Sequence, residues 1–167
     1  AYGVNSPTVT LSRDMMLTAV LVAAAIMVPS QFYFSGLSDR LGRKTVYRWG
    51  AILTGLWGFA LFPLIDTGQP VLICFAVTMG LVFLGMQYGP HADFFTELFS
   101  TEVRYSGASL GYQLGAIVGG ALAPTIAVLL WNNFGIFWVS VYIALAAILT
   151  LMSLSQLTET QGSDLTD

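Results

Sequence analysis

Six residues that can hydrogen-bond or exchange a proton stand out because their neighbours cannot. Gln31, Gln87, Tyr88, His91, Tyr112 and Gln113 all lie in or beside long apolar runs. Amides, phenols and an imidazole can bind and orient a polar molecule, and some can pass a proton, but alone they do not break bonds. No nucleophile–base arrangement and no phosphate-cradling glycine loop is present, and His91 alone makes no metal site. Cys74 lies in an apolar run, has no second cysteine to pair with, and reads as a small buried hydrophobe. The residues therefore point to recognition of a polar molecule, with no cofactor, no metal and no enzymatic chemistry expected.

The elements that must position these groups follow from composition. Of the 167 residues, 56% are hydrophobic and only 9% charged, too few charges to cover a soluble domain of this length. Lipid is the expected solvent, and the net charge of -3 gives no sign of nucleic acid binding. Charged and turn-forming residues divide the chain into five apolar spans: about Met15 to Phe34, Trp49 to Ile65, Val71 to Pro90, Ser106 to Leu130 and Phe134 to Leu154. Each approaches or exceeds the roughly 17–25 residues a helix needs to cross the hydrocarbon. None shows the strict alternation of a barrel strand. The expected fold is all-α, a membrane helix bundle over residues 15–156, with a lead-in at 1–14 and a polar tail at 157–167. Asp66-Thr67-Gly68-Gln69-Pro70 and Trp131-Asn132-Asn133-Phe134-Gly135 are the expected tight breaks.

Orientation follows from the basic residues. Arg40, Arg43, Lys44 and Arg48 flank the first connection, Arg104 lies in the third, and Arg13 alone precedes span one. The side with five of the six is expected to be the cytoplasm. Ala1 then falls outside and Asp167 inside.

The connection Ser35-Gly36-Leu37-Ser38-Asp39-Arg40-Leu41-Gly42-Arg43-Lys44 has an order that charge rules alone do not require. A glycine gives a tight turn its backbone freedom, and Asp39 can accept from free N–H groups at the start of span two. The stretch resembles the cytoplasmic signature of the Major Facilitator Superfamily, Gly-x-Leu-Ala-Asp-Arg-x-Gly-Arg-Arg/Lys, with Ser35 where that pattern has glycine. A second stretch, from Gly89 through Glu97-Leu98-Phe99-Ser100, Arg104-Tyr105-Ser106-Gly107 and on to Gly115, is similar to the segment joining helices ten and eleven in the metabolite:proton symporter branch. That branch includes carriers for proline and betaine, 2-oxoglutarate, citrate and shikimate. Ser100 stands where the branch has proline, and His91 and Asp93 where it tends to carry neutral residues.

The resemblance implies that the spans correspond to helices eight to twelve of a twelve-helix secondary transporter working by alternating access. Helix seven and the N-terminal half would then lie outside these residues. The solute would be a small organic acid or zwitterion, moved with a proton across a bacterial cytoplasmic membrane. Spans one, three and four would line its path. A coupling carboxylate is not evident near the midplane, so the coupling group is expected in the other half, with Asp93 and His91 as the weaker alternative.

Three further expectations concern placement. Gln87 and Gln113 lie at similar depth, roughly 5–10 Å to the cytoplasmic side of the midplane. They should point into the bundle with Tyr112, Tyr88 and Gln31 near the path, or else bond each other. Asp39, Arg43, Glu97 and Arg104 should cluster as a latch at the cytoplasmic ends, beside Arg40 and Lys44. Gly107, Gly111, Gly115 and Gly119 recur every four residues and form a smooth helix face. That face could slide between half-domains, pack statically, or serve a non-transporting scaffold that associates through it.

Overall fold

The computed structural model describes residues 12–97 and 104–157, apart from the side chains at 95–97, 104 and 118. Its helices are α1 (Arg13–Leu41), α2 (Arg43–Asp66), α3 (Pro70–Glu97), α4 (Arg104–Gly115), α5 (Ala123–Phe134) and α6 (Ile136–Gln156). A π-helical stretch, Ala116–Leu122, joins α4 to α5. Five stretches are long and apolar enough to cross a membrane, with α4 through α5 forming one of them, Tyr105–Phe134. The all-α reading of the sequence therefore holds.

The joints are made by glycine. Gly42 has φ 96°, Gly68 φ 69° and Gly135 φ 93°, a region that side chains with a Cβ rarely adopt. Ser12 caps α1 by accepting from the Met15 N–H at 3.3 Å, and Pro70 opens α3, where its missing N–H costs nothing. The connection expected at 35–44 is far shorter than that. Helix α1 continues through Leu41 and α2 begins at Arg43, so Gly42 alone is the turn. The backbone ladder continues because the Gly42 N–H still reaches the Ser38 carbonyl at 3.0 Å. The N-cap position of α2 is Gly42, which has no side chain to cap with, and the Asp39 carboxylate meets the Arg43 guanidinium.

Helix α3 is the spine of the bundle. Helix α1 packs along one side of it, α2 along another, and α6 lies against α2. Lipid supplies no hydrophobic drive between helices, so close backbone approach and interhelical hydrogen bonds must hold them. Both are present. A Cβ at Gly89 would sit 2.8 Å from the Gln31 carbonyl oxygen and 3.0 Å from the Ser35 nitrogen. This is the α1–α3 crossing, where Gly89 lets the two backbones approach. A Cβ at Gly55 would sit 2.8 Å from Ala147 Cβ, which brings α2 onto α6. Ser140 Oγ donates to the Gly58 carbonyl at 2.7 Å, and Trp57 Nε1 to the Ala76 carbonyl at 2.9 Å. Outward-facing Leu21, Phe32 and Val71 are exposed, as expected where lipid takes the place of water.

The fourth span stands apart. It packs closely on α3 only through α4, and on α6 through α5. Its π-helical turn contains Gly119 and Gly120 and ends just before Pro124. Proline has no N–H for the carbonyl four residues back, here that of Gly120, so the regular ladder cannot pass this point.

A polar cavity beside the central helix

Between α3 and the detached fourth span lies a cavity of about 630 Å³. Its polar wall is Gln87, Tyr88 and His91 from α3, Tyr47 from α2, Tyr112 from α4 and Thr150 from α6. The opposite wall is glycine: Gly111, Gly115, Gly119 and Gly120. A Cβ at any of these four would meet nothing within 4 Å. The regular glycine spacing thus borders open space among the described residues, and the notches that seat neighbouring helices are Gly50, Gly55, Gly85 and Gly89. Gly107 is half-buried.

Gln87 is held from behind. Its Nε2 donates to Thr54 Oγ1 on α2 at 2.9 Å. Its side chain also fills the notch at Gly50, where a Cβ would lie 2.8 Å from Gln87 Cγ. An amide has two N–H donors and an oxygen acceptor, so one donation to Thr54 leaves further capacity at the cavity edge. Gln113 does not join it: its side chain is exposed and is not among the residues lining the cavity. Gln31 is half-buried on α1 beside Gly85, with Cγ 3.5 Å from where a Cβ would be. Of the residues expected along the path, Gln87, Tyr88 and Tyr112 come together.

His91 sits among three tyrosines from three helices. Its ring centroid is 6.1 Å from Tyr47, in a stacked arrangement, 5.8 Å from Tyr88, and 5.9 Å from Tyr112, which meets it edge-on. Tyr47 and Thr54 were not singled out from the sequence. Their signal is faint but present, since Gly50, Thr54 and Gly58 recur every four residues on α2 and so share the face that meets α3 and α6.

At the basic end of the bundle, Arg43 joins three helices. Its Nη1 lies 3.1 Å from Asp39 Oδ1 on α1 and 3.2 Å from Asp93 Oδ2 on α3. Both carboxylates are more than half exposed, so each pair contributes about 0.5–1 kcal/mol. Asp93, not singled out for the latch from the sequence, joins the cluster. The side chains of Glu97 and Arg104 lie outside the described residues. Lys44 Nζ donates to the Leu157 carbonyl at the end of α6, a favourable place for a cation at a helix C-terminus. Arg40 is exposed.

Comparison with known proteins agrees with the fold. The family model of the Major Facilitator Superfamily matches residues 1–164. A putative metabolite transport protein of Haemophilus influenzae is 35% identical over 100% of this chain and 37% of its own length. The inner membrane metabolite transport protein YhjE of Escherichia coli is 38% identical over 90% of the chain and 34% of its own length. The shikimate transporter of the same organism is 32% identical over 82% of the chain and 32% of its own length. The chain thus spans about a third of the length of these relatives. No solved structure matches it. A family match over nearly every residue, on a bundle of five membrane-length helices, makes this chain a multi-pass membrane segment belonging to the Major Facilitator Superfamily.

Proposed function

We propose that this chain forms part of a carrier that moves a small polar metabolite, an organic acid or zwitterion, across a bacterial cytoplasmic membrane by alternating access and with a proton. The observation that carries the reading is the cavity of about 630 Å³, whose wall offers an amide, phenols and an imidazole at membrane depth. Polar side chains at such depth are costly unless paired or used, and they mark solute paths. Relatives named for metabolite and shikimate transport support the same reading. In this account the basic end, with Arg40, Arg43, Lys44 and Arg48, faces the cytoplasm. Gln87, Tyr88 and Tyr112 contact the solute, Gln31 and Gln113 lie nearer the rim, and the rest of the carrier supplies the facing wall. The partners are the solute, the proton, the bilayer and the other half of the transporter.

A second reading rests on the open glycine face of Gly111, Gly115 and Gly119: a non-transporting scaffold that associates through it. Uptake of radiolabelled shikimate, 2-oxoglutarate, citrate and proline into proteoliposomes holding the intact carrier separates the two. Saturable uptake of one of them is expected. Uptake of none, with concentration-dependent self-association of the protein, would favour the scaffold.

A further inference from the structure

We propose that His91 is the proton-binding group of the cavity and that it takes up its proton together with an anionic solute. This rests on the transport reading above and adds to it a residue and a charge class. His91 is the one histidine of the sequence and lines the cavity in the half of α3 nearer the basic end. The stretch it resembles usually carries neutral residues here, so the group is a feature of this chain and not of the family pattern.

The groups around it leave it the natural place for a proton. Helix α2 contributes Tyr47, α3 contributes Tyr88 and α4 contributes Tyr112, while α6 brings only the Thr150 hydroxyl to the cavity. No carboxylate, lysine or arginine is among the described residues of the wall. The nearest acid along α3, Asp93, is held by Arg43 at 3.2 Å, and Arg43 also holds Asp39 of α1. Among the described wall groups, the imidazole is therefore the one whose ordinary, unperturbed titration lies near neutral pH.

Two opposed effects set its balance. Burial in an apolar span disfavours the imidazolium. The stacked face of Tyr47, with ring planes 24° apart, favours it through the negative charge of the aromatic face. A carboxylate entering the cavity pairs with the imidazolium and offsets the desolvation, so proton and anion each tighten the other's binding by the same factor. In the transport cycle one N–H bond forms on the ring from a solvent proton on the outer side and breaks on the inner side. No other covalent bond changes. The wall is rich in donors and has no fixed negative charge, which suits a carboxylate better than a cation.

The test uses proteoliposomes with the intact carrier and labelled shikimate, 2-oxoglutarate and proline. The wild type is expected to show counterflow of an anionic solute and to accumulate it under an inward proton gradient, approaching about tenfold per pH unit for one proton per solute. In His91→Gln and His91→Asn, the solute concentration that half-saturates counterflow is expected to rise, because the pairing charge is lost, and accumulation is expected to fall to near unity. Accumulation in His91→Gln equal to that of the wild type would overturn the inference and leave the transport reading intact. Absence of wild-type counterflow for all three solutes would overturn both. If neither variant reaches the membrane, the unaltered protein decides. Adding the transported anion at about pH 7.5 should draw protons from a dye-buffered medium, because anion and proton tighten each other's binding. No proton uptake at this pH overturns the inference.

Discussion

Gln87 Nε2 and Thr54 Oγ1 lie 2.9 Å apart and tie α3 to α2 at the edge of the polar cavity. The bond joins a residue of the cavity wall to one behind it, so it positions Gln87 as well as holding the helices together. Thr54→Val keeps the shape and removes the acceptor. Such bonds in membrane bundles contribute about 0.6–1.7 kcal/mol. A loss of stability in that range is expected in steric-trap unfolding in bicelles, with Thr54→Ser close to wild type. Equal stability of the valine and serine variants would show that the bond has no net worth.

The glycines fall into two groups that substitution should separate. Gly89→Ala places a Cβ 2.8 Å from the Gln31 carbonyl oxygen and 3.0 Å from the Ser35 nitrogen, both backbone atoms that cannot swing away. Overpacking of this kind costs about 1–3 kcal/mol. Gly111→Ala meets nothing within 4 Å and should cost less than about 0.5 kcal/mol in this chain. Thermal melts in detergent check the pair, and a larger loss for Gly111→Ala than for Gly89→Ala would reverse the assignment of which glycines pack.

The Arg43 cluster should show modest, salt-sensitive coupling. Double-mutant cycles of Arg43→Gln with Asp39→Asn and with Asp93→Asn are expected to give about 0.5–1 kcal/mol each at low salt. The coupling should shrink as the Debye length falls to about 3 Å near 1 M salt. Coupling above about 2 kcal/mol that ignored salt would mean the cluster is shielded from water.

Much of the bundle was legible in the sequence because membrane helices must satisfy their own backbone within each span. The five apolar runs and the breaks at Gly68 and Gly135 are therefore where they were expected. The reach of α1 through Ser35–Leu41 was not legible, since a polar, turn-rich composition hides a helix that continues into the interface. At the fourth span, glycines every four residues share a helix face, and Gly111, Gly115 and Gly119 of that face border the cavity. Periodicity gives the face on which residues lie but not what stands opposite. For the same reason Gln87 could be placed in depth, whereas its partner Thr54, on another helix, could not be named.

Sidedness has its own test. With Cys74 replaced by alanine, Thr45→Cys lies by the basic joint at Gly42 and Gln69→Cys in the Thr67–Pro70 turn. A membrane-impermeant maleimide added to intact cells should label Gln69→Cys, and should label Thr45→Cys only after the cells are opened. Labelling of Thr45→Cys from outside would reverse the orientation.

The central claim is that the cavity beside α3 holds the solute, and apparent affinity tests it most directly. Initial rates of labelled shikimate or 2-oxoglutarate uptake are to be measured across concentration for wild type, Gln87→Leu and Tyr112→Phe in the intact carrier, each normalised to protein in the membrane. Removing a hydrogen bond to a polar solute costs about 0.5–1.5 kcal/mol, and more where the solute group is charged. KM should therefore rise roughly threefold to tenfold in each variant. Unchanged KM in both, whatever happened to expression, would contradict the account.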